Sequence, residues 1–285
     1  MPNILDIRRR IRSVKSTQQI TRAMKMVAAA RLRRAQEQVV SARPYANQMR
    51  AVLQSLMSRT TQREHPLLAV RPVKRVLLVL VTSDRGLCGA FNANLIRNAS
   101  AYYEQNPNLE ILMMPCGRKG RDFFRRRNVQ MAAEYPNLFG KRLDFSQART
   151  IAEEVIDIYQ EERVDAVDVM YNEFKSVIAQ RLVVERFLPI PAFEPPPGQT
   201  AVDYIYEQPP EELANRLLPR YVQIEIFRAL LETQAAELAA RMTAMDTATK
   251  NAGELIDSLT LNMNRVRQAG ITREIIEIVG GAAAL

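Results

Sequence analysis

The stretch VKRVLLVLVTSDRGLCGAFN, residues 73–92, decides how the middle of this 285-residue chain folds. An uninterrupted aliphatic run covers Val76, Leu77, Leu78, Val79, Leu80 and Val81. Glycines follow at Gly86 and Gly89, and a helix-like segment begins near Phe91. Strand, glycine turn and helix make the opening unit of a parallel α/β sheet, a place where such sheets often hold a phosphate. The turn fits neither phosphate fingerprint. A dinucleotide turn needs G-x-G-x-x-G, and a mononucleotide loop needs G-x-x-x-x-G-K-[ST]. Here D-R-G-L-C-G-A-F-N has no third glycine at the helix start and no Lys-Ser or Lys-Thr after Gly89. The glycines are therefore read as devices for a tight turn, and no cofactor is expected.

Working outward, strands are expected at 75–82, 109–114, 129–133, 166–173 and 180–188, with helices at 92–105, 119–127 and 146–162. Such alternation makes a mainly parallel sheet with helices on its faces. The short link through Lys175 and Ser176 turns the last two strands into an antiparallel hairpin. Residues 191–210, with PPPGQT and QPP, read as a connection to the last segment of the chain.

Both flanks carry a different period. The first has apolar or small residues at Ile4, Ile7, Ile11, Val14, then Ala28, Leu32, Ala35, Val39, Ala42, Ala46, Met49, Leu53 and Leu56. Only Gln18, Thr21 and Lys25 make this seam polar. Spacing of three and four marks a coiled-coil helix, in which Pro44 is expected to give a local kink. From Leu217 the last flank keeps the same spacing through Tyr221, Ile224, Arg228, Leu231, Ala235, Leu238, Met242, Met245, Thr249, Ala252, Ile256, Leu259, Met263, Val266 and Gly270. There it slips by one residue, to Ile271, Ile275, Ile278 and Ala282. Each stripe needs cover from water. An antiparallel pairing of the two flanks, with the middle bringing the chain back, competes with a homodimeric zipper. The fold expected is α/β: a long antiparallel coiled coil of the terminal helices with an inserted Rossmann-like domain, divided as residues 1–57, 73–208 and 210–285.

Composition narrows the function. No apolar run approaches a membrane span, and MPNILDIRRRIR has no apolar core of a signal peptide, so no direct membrane insertion is expected. Cys88, Cys116 and His65 are the only Cys and His residues, too few for a zinc site of those ligands. The thiols read as small buried residues and His65 as a solvated loop residue. Glu153, Glu154, Glu161 and Glu162 read as the solvated face of one helix. The charge is uneven: the first 57 residues hold twelve Lys and Arg against Asp6 and Glu37, while the whole chain carries only +9. Such an arm suits nucleic acid or an acidic protein surface. A groove-binding basic helix would place its cations beyond the seam, whereas here they overlap it from Ile4 onward, so nucleic acid is not the expected partner. A nucleotide-dependent α/β enzyme is the other rival, and the failed fingerprints weigh against it.

Three stretches carry a resemblance along the whole chain: IRRRIRSVKSTQQITRAMKMVAAARLRRAQ, TSDRGLCGAFN, and ARMTAMDTATKNAGELIDSLTLNMNRVRQAGITREIIEIVGGAAAL. In these the chain resembles the gamma subunits of F-type ATP synthases, the central-stalk rotor. The resemblance implies a non-catalytic shaft inside a ring of alpha and beta subunits. The middle domain would lie beside epsilon and on the membrane-embedded c ring, peripheral to the cytoplasmic face of a bacterial plasma membrane. It further implies that Met24 and Lys25 meet a beta subunit, with Lys25 standing where some relatives have an acid. Arg267 and Gln268 would meet the beta catch loop. Thr272, Glu274 and Glu277 belong to the C-terminal signature and Arg241 matches a basic position in the same helix, all four being further beta-subunit contacts. Tyr204, Tyr206 and Glu207 would form the foot at the c ring and epsilon. The slip at Gly270 would mark the start of a single-helix tip held in an apolar sleeve.

Overall fold

A computed structural model describes residues 4–59, 65–140, 143–191 and 209–283. The elements, in order, are α1 (Ile4–Arg59), β1 (Arg75–Val81), α2 (Phe91–Gln105), β2 (Glu110–Cys116), α3 (Arg118–Arg125), α4 (Phe145–Gln160), β3 (Ala166–Phe174), β4 (Gln180–Leu188) and α5 (Pro210–Ala283). The chain divides into two compact units, Met1–Ala29 with Arg241–Leu285, and Ala30–Ala240. Both terminal helices contribute to each.

In the Ala30–Ala240 unit the sheet runs β2-β1-β3-β4. β1 pairs in parallel with β2 and β3, and β4 returns antiparallel to β3. All of β1 beyond Arg75 is buried. A strand covered on both faces has no need to alternate, so its residues read as one aliphatic run. α5 is buried at almost every position from Tyr221 to Ala239. A helix buried on nearly every side sits inside a core, and its contacts show where. Phe227 meets Phe145 at the start of α4, edge to face at 5.4 Å, and the Arg228 guanidinium lies 5.8 Å from the ring centre of Tyr171 on β3.

The acids that α5 takes into this core are all answered. The buried Glu232 carboxylate accepts from Arg43 of α1 at 2.9 Å and from the Phe174 backbone N–H at 3.0 Å. Glu225 accepts from Arg50 at 3.3 Å and Arg228 at 2.7 Å. Burial pulls the Arg228 guanidinium down, but Glu225 and Glu185 beside it outweigh that and hold it firmly charged. Charges this deep are tolerable only when paired in this way.

Two sequence expectations change. No fifth strand forms at 129–133; the segment makes one isolated bridge to β2, Met113 with Met131, and a second follows beyond it, Cys116 with Tyr135. The Met113 N–H donates to Gln130 and its carbonyl accepts from Ala132. Two residues on, the same side of β2 presents Pro115, which has no N–H to give. The ladder is interrupted there and resumes only at Tyr135, whose N–H donates to the Pro115 carbonyl at 3.0 Å and whose carbonyl accepts from Gly117 at 2.8 Å. His65 is also not a solvated loop residue. It is half-buried, and its Nδ1 accepts from the Leu67 N–H to cap a short 3-10 turn at Pro66–Leu68. Cys88 and Cys116 are buried as expected, and burial pushes the Cys116 thiol up to about 12. α1 runs on through the exposed Pro44, and α5 likewise contains Pro219.

Candidate functional site

The Met1–Ala29 and Arg241–Leu285 unit is a two-helix seam. Ile7, Thr21 and Ala28 of α1 and Met245 and Ala252 of α5 are buried, and the seam positions between them are half-buried. The polar part of the α1 seam meets polar residues of α5. The Thr21 and Thr249 hydroxyls lie 2.8 Å apart, the Gln18 amide donates to the Thr249 carbonyl at 3.4 Å, and the Lys25 ammonium donates to Asp246 at 2.6 Å. Lys250 reaches the other Asp246 oxygen at 3.1 Å. The Lys25 hydrogen bond first, and Lys250 second, hold the Asp246 carboxyl below its ordinary value. Polar seam residues of this kind fix the register of one helix on the other.

Antiparallel helices of equal rise keep the sum of facing residue numbers nearly constant, here about 270. Ile4, the first described residue of α1, therefore falls opposite Val266. Beyond Gly270 no described residue of this unit covers α5. Every described side chain from Ile271 to Gly280 is exposed; Ile271 is 50%, Ile275 55%, Ile276 64% and Ile278 71% accessible. The break lies where the seam slips in the sequence.

The residues that the family resemblance singles out fall at two stations. Met24 and Lys25 lie opposite Asp246, with half-buried Arg241 about a turn away. Arg267, Gln268, Thr272, Glu274 and Glu277 are exposed and begin about 30 Å further along α5. The Thr272 hydroxyl bonds back to the Gln268 carbonyl at 2.9 Å within the helix. Tyr204, Tyr206 and Glu207 lie outside the described residues. Two neighbours of Met24 escape a reading by heptad spacing. Ile20 and Val27, 57% and 54% accessible, flank it at helical spacing and make a short apolar strip off the seam. Their signal was present as an apolar pattern at 20, 24 and 27. Asp246, which engages the Lys25 charge within the chain, carries no such signal.

The glycine turn of the other unit is consumed by its own fold. The Asp84 carboxylate accepts from the backbone N–H groups of Arg118, Asn137 and Phe139 at 2.9, 2.8 and 2.7 Å. It thus sits at the N-terminus of α3, where an anion is favoured. The Thr82 hydroxyl accepts from the Gly120 N–H at 2.9 Å. No group of three or more His, Cys, Asp or Glu suited to a metal occurs among the described residues. The outward-facing helical surface includes a cationic α1 and an apolar end of α5.

A family model described as ATP synthase matches residues 3–285. The ATP synthase gamma chain of Solibacter usitatus is 52% identical over all of this chain and 99% of its own length. This chain belongs to the ATP synthase gamma-chain family. The gamma chain of Desulfitobacterium hafniense is 50% identical over the full length of both. Among solved structures, a central stalk and c ring of the Tetrahymena thermophila mitochondrial ATP synthase contains a chain 26% identical. It matches with a TM-score of 0.61 over 80% of this chain and 99% of that one. A chain in the Euglena gracilis mitochondrial ATP synthase, 20% identical, shares the fold with a TM-score of 0.71 over 99% of this chain and 94% of that one. Gamma-chain membership accounts for a seam that continues, uncovered, past its intramolecular partner.

Proposed function

We propose that this chain is the central rotor shaft of an F-type ATP synthase. It couples ion-driven rotation of a c ring to conformational change at the beta-subunit catalytic sites, and carries out no bond chemistry itself. The observation that carries this reading is the end of α5. A helix with isoleucines exposed at 271, 275, 276 and 278 calls for an apolar socket, because that much apolar surface is costly in water. A ring of alpha and beta subunits supplies one. Each shaft angle gives a different interaction free energy with the open and closed states of each beta subunit, and that difference is what rotation transmits.

Met24, with Ile20 and Val27, offers an apolar contact to a beta subunit. Lys25 and Arg241 flank it, and Arg267, Gln268, Thr272, Glu274 and Glu277 form the upper contact. Arg8, Arg9 and Arg10 are exposed and attract acidic beta levers at long range. Such attraction suits a part that must pass three equivalent surfaces without locking to one. Epsilon and the c ring meet residues 73–208, including Tyr204, Tyr206 and Glu207. The complex places the chain peripherally at the cytoplasmic face of a bacterial inner membrane. No described helix is long and apolar enough to cross one.

Tagging the chain at its native level, solubilising membranes gently and identifying what co-purifies tests the reading. Alpha, beta, epsilon and c subunits should appear together with ATPase activity; recovery of the chain alone or with nucleic acid would overturn it. In the same preparation, the variant Arg8→Gln/Arg9→Gln/Arg10→Gln should assemble less well at low salt, with the deficit shrinking as salt rises. Unchanged assembly and rotation would remove the electrostatic part.

A further inference from the structure

The strongest unassigned surface is the end of α3. Three consecutive arginines, Arg125, Arg126 and Arg127, are exposed there. Arg121 is engaged by Asp122 at 2.6 Å, whereas no ion pair among the described residues involves the three. Their backbone is well fixed. The Asn128 N–H donates to the Arg125 carbonyl and the Val129 N–H to the Phe124 carbonyl, with Asn128 at φ 54. That is a Schellman ending, and it sets all three arginines on the last turn, where the partial negative charge of the helix end favours cations. Below them Phe124 is buried and stacks near Tyr103, centroids 6.2 Å apart. Phe123 is half-exposed, and the Arg127 guanidinium lies over its ring at 3.6 Å.

Topology places this turn. α3 runs back along β2, and Gln130, two residues past Asn128, bonds to Met113 in the body of β2. Tyr103, near the end of α2, approaches the Ile111 carbonyl at 3.5 Å. The arginines therefore lie toward the end of the sheet where β1, β2 and β3 begin and β4 finishes at Leu188. In the sequence β4 is followed by the segment that holds Tyr204, Tyr206 and Glu207, which the rotor reading assigns to the c ring and epsilon.

We propose that Arg125, Arg126 and Arg127 form a basic face that binds the anionic phospholipid headgroups around the c ring. The proposal rests on the rotor reading, which brings this end of the sheet to a membrane. Successive helical residues point about 100° apart, so three guanidinium groups fan outward and do not converge on one pocket. That geometry matches a fluid array of phosphates better than a single acidic side chain. A lipid surface is also uniform around the rotation axis, so the attraction holds the rotor to the membrane without favouring any angle. The half-exposed Phe123 adds an apolar edge at headgroup depth.

The test is flotation of the purified full-length chain with vesicles of mixed phosphatidylcholine and phosphatidylglycerol, using pure phosphatidylcholine as the neutral control. Basic residues at an anionic surface each contribute about fivefold in affinity, so Arg125→Gln/Arg126→Gln/Arg127→Gln should lose about a hundredfold. The triple lysine variant should retain binding, which separates lost charge from lost fold. Arg8→Gln/Arg9→Gln/Arg10→Gln removes equal charge elsewhere and should lose much less. Equal loss in both glutamine variants would reduce the effect to net charge and overturn the proposal. Unchanged vesicle binding would overturn it too, and loss of epsilon from the same variant on co-purification would then assign the face to an acidic protein. The vesicles contain no protein, so a negative flotation leaves the subunit co-purification of the rotor reading intact.

Discussion

At the scale of single residues, three glycines show what a backbone position can demand. Gly89 has φ 59 and Gly117 φ 112, both in the region that L side chains avoid. At Gly117 a Cβ would also lie 2.1 Å from the Thr82 carbonyl oxygen. Gly86 is different, because its nearest neighbours would be the Lys119 Cε and Nζ at 3.9 Å. Gly117→Ala should therefore cost about 3 kcal/mol or more, combining strain with a backbone clash. Gly86→Ala should be neutral or stabilising by about 0.5 kcal/mol through the unfolded chain. Urea unfolding midpoints of the two variants decide this; comparable losses would mean that Gly86 also holds a conformation only glycine tolerates. Gly86 and Gly89 attract attention in the sequence, while Gly117 does not. Its importance comes from Thr82, a residue 35 positions away that only the parallel pairing of β1 and β2 brings alongside.

At the scale of elements, strands survive by having their ends fastened. Asp165, one residue before β3, accepts from the backbone N–H groups of Lys74 and Arg75 at 3.0 and 2.8 Å and from the Arg75 guanidinium at 3.1 Å. It joins the starts of β1 and β3. Burial alone would raise its carboxyl, but the Arg75 and Lys74 N–H bonds and the Arg75 charge more than offset that, and the group titrates below its ordinary value. A depressed folded value means stability that is fully present above the ordinary carboxylate range near 4 and lost as pH falls through the folded value. Asp165→Asn should thus lose about 1–3 kcal/mol at neutral pH. The gap from wild type should narrow below about pH 4, as read by urea unfolding across pH. A gap independent of pH would trace the loss to packing. The segment 129–133 fails as a strand for the complementary reason: its neighbour Pro115 withholds a donor.

At the scale of the whole molecule, the decisive feature is surface that the chain does not cover for itself. Ile275 and Ile278 are 55% and 71% accessible on an intact helix. Replacing both with glutamine should leave the unfolding of the isolated chain within about 0.5 kcal/mol of wild type. Assembly with alpha and beta subunits should weaken, measured by the yield of complex and its ATPase activity. A clear loss of stability in the isolated chain would mean that the tip packs on its own protein. The same logic separates Glu232 from these residues, since its carboxylate is spent inside the chain on Arg43 and the Phe174 N–H.

Local pattern alone determined the elements of this protein. Periods of 3.5 and an aliphatic run are written into neighbouring residues, so the two terminal helices, four of the five expected strands and the end of the paired seam near Gly270 were legible without coordinates. The three-part motif resemblance named the family from the same letters. Tertiary structure decided how charge and turn chemistry are spent. Which carboxylate meets Lys25, why Asp84 occupies the start of α3, and where Pro115 interrupts the pairing at the sheet edge depend on residues far apart in the chain. Such pairings arise from the packing of elements, and the identity of a residue does not state its partner. A charged side chain reads alike whether it is neutralised within the fold, as Lys25 is by Asp246, or left outward, as Arg125, Arg126 and Arg127 are.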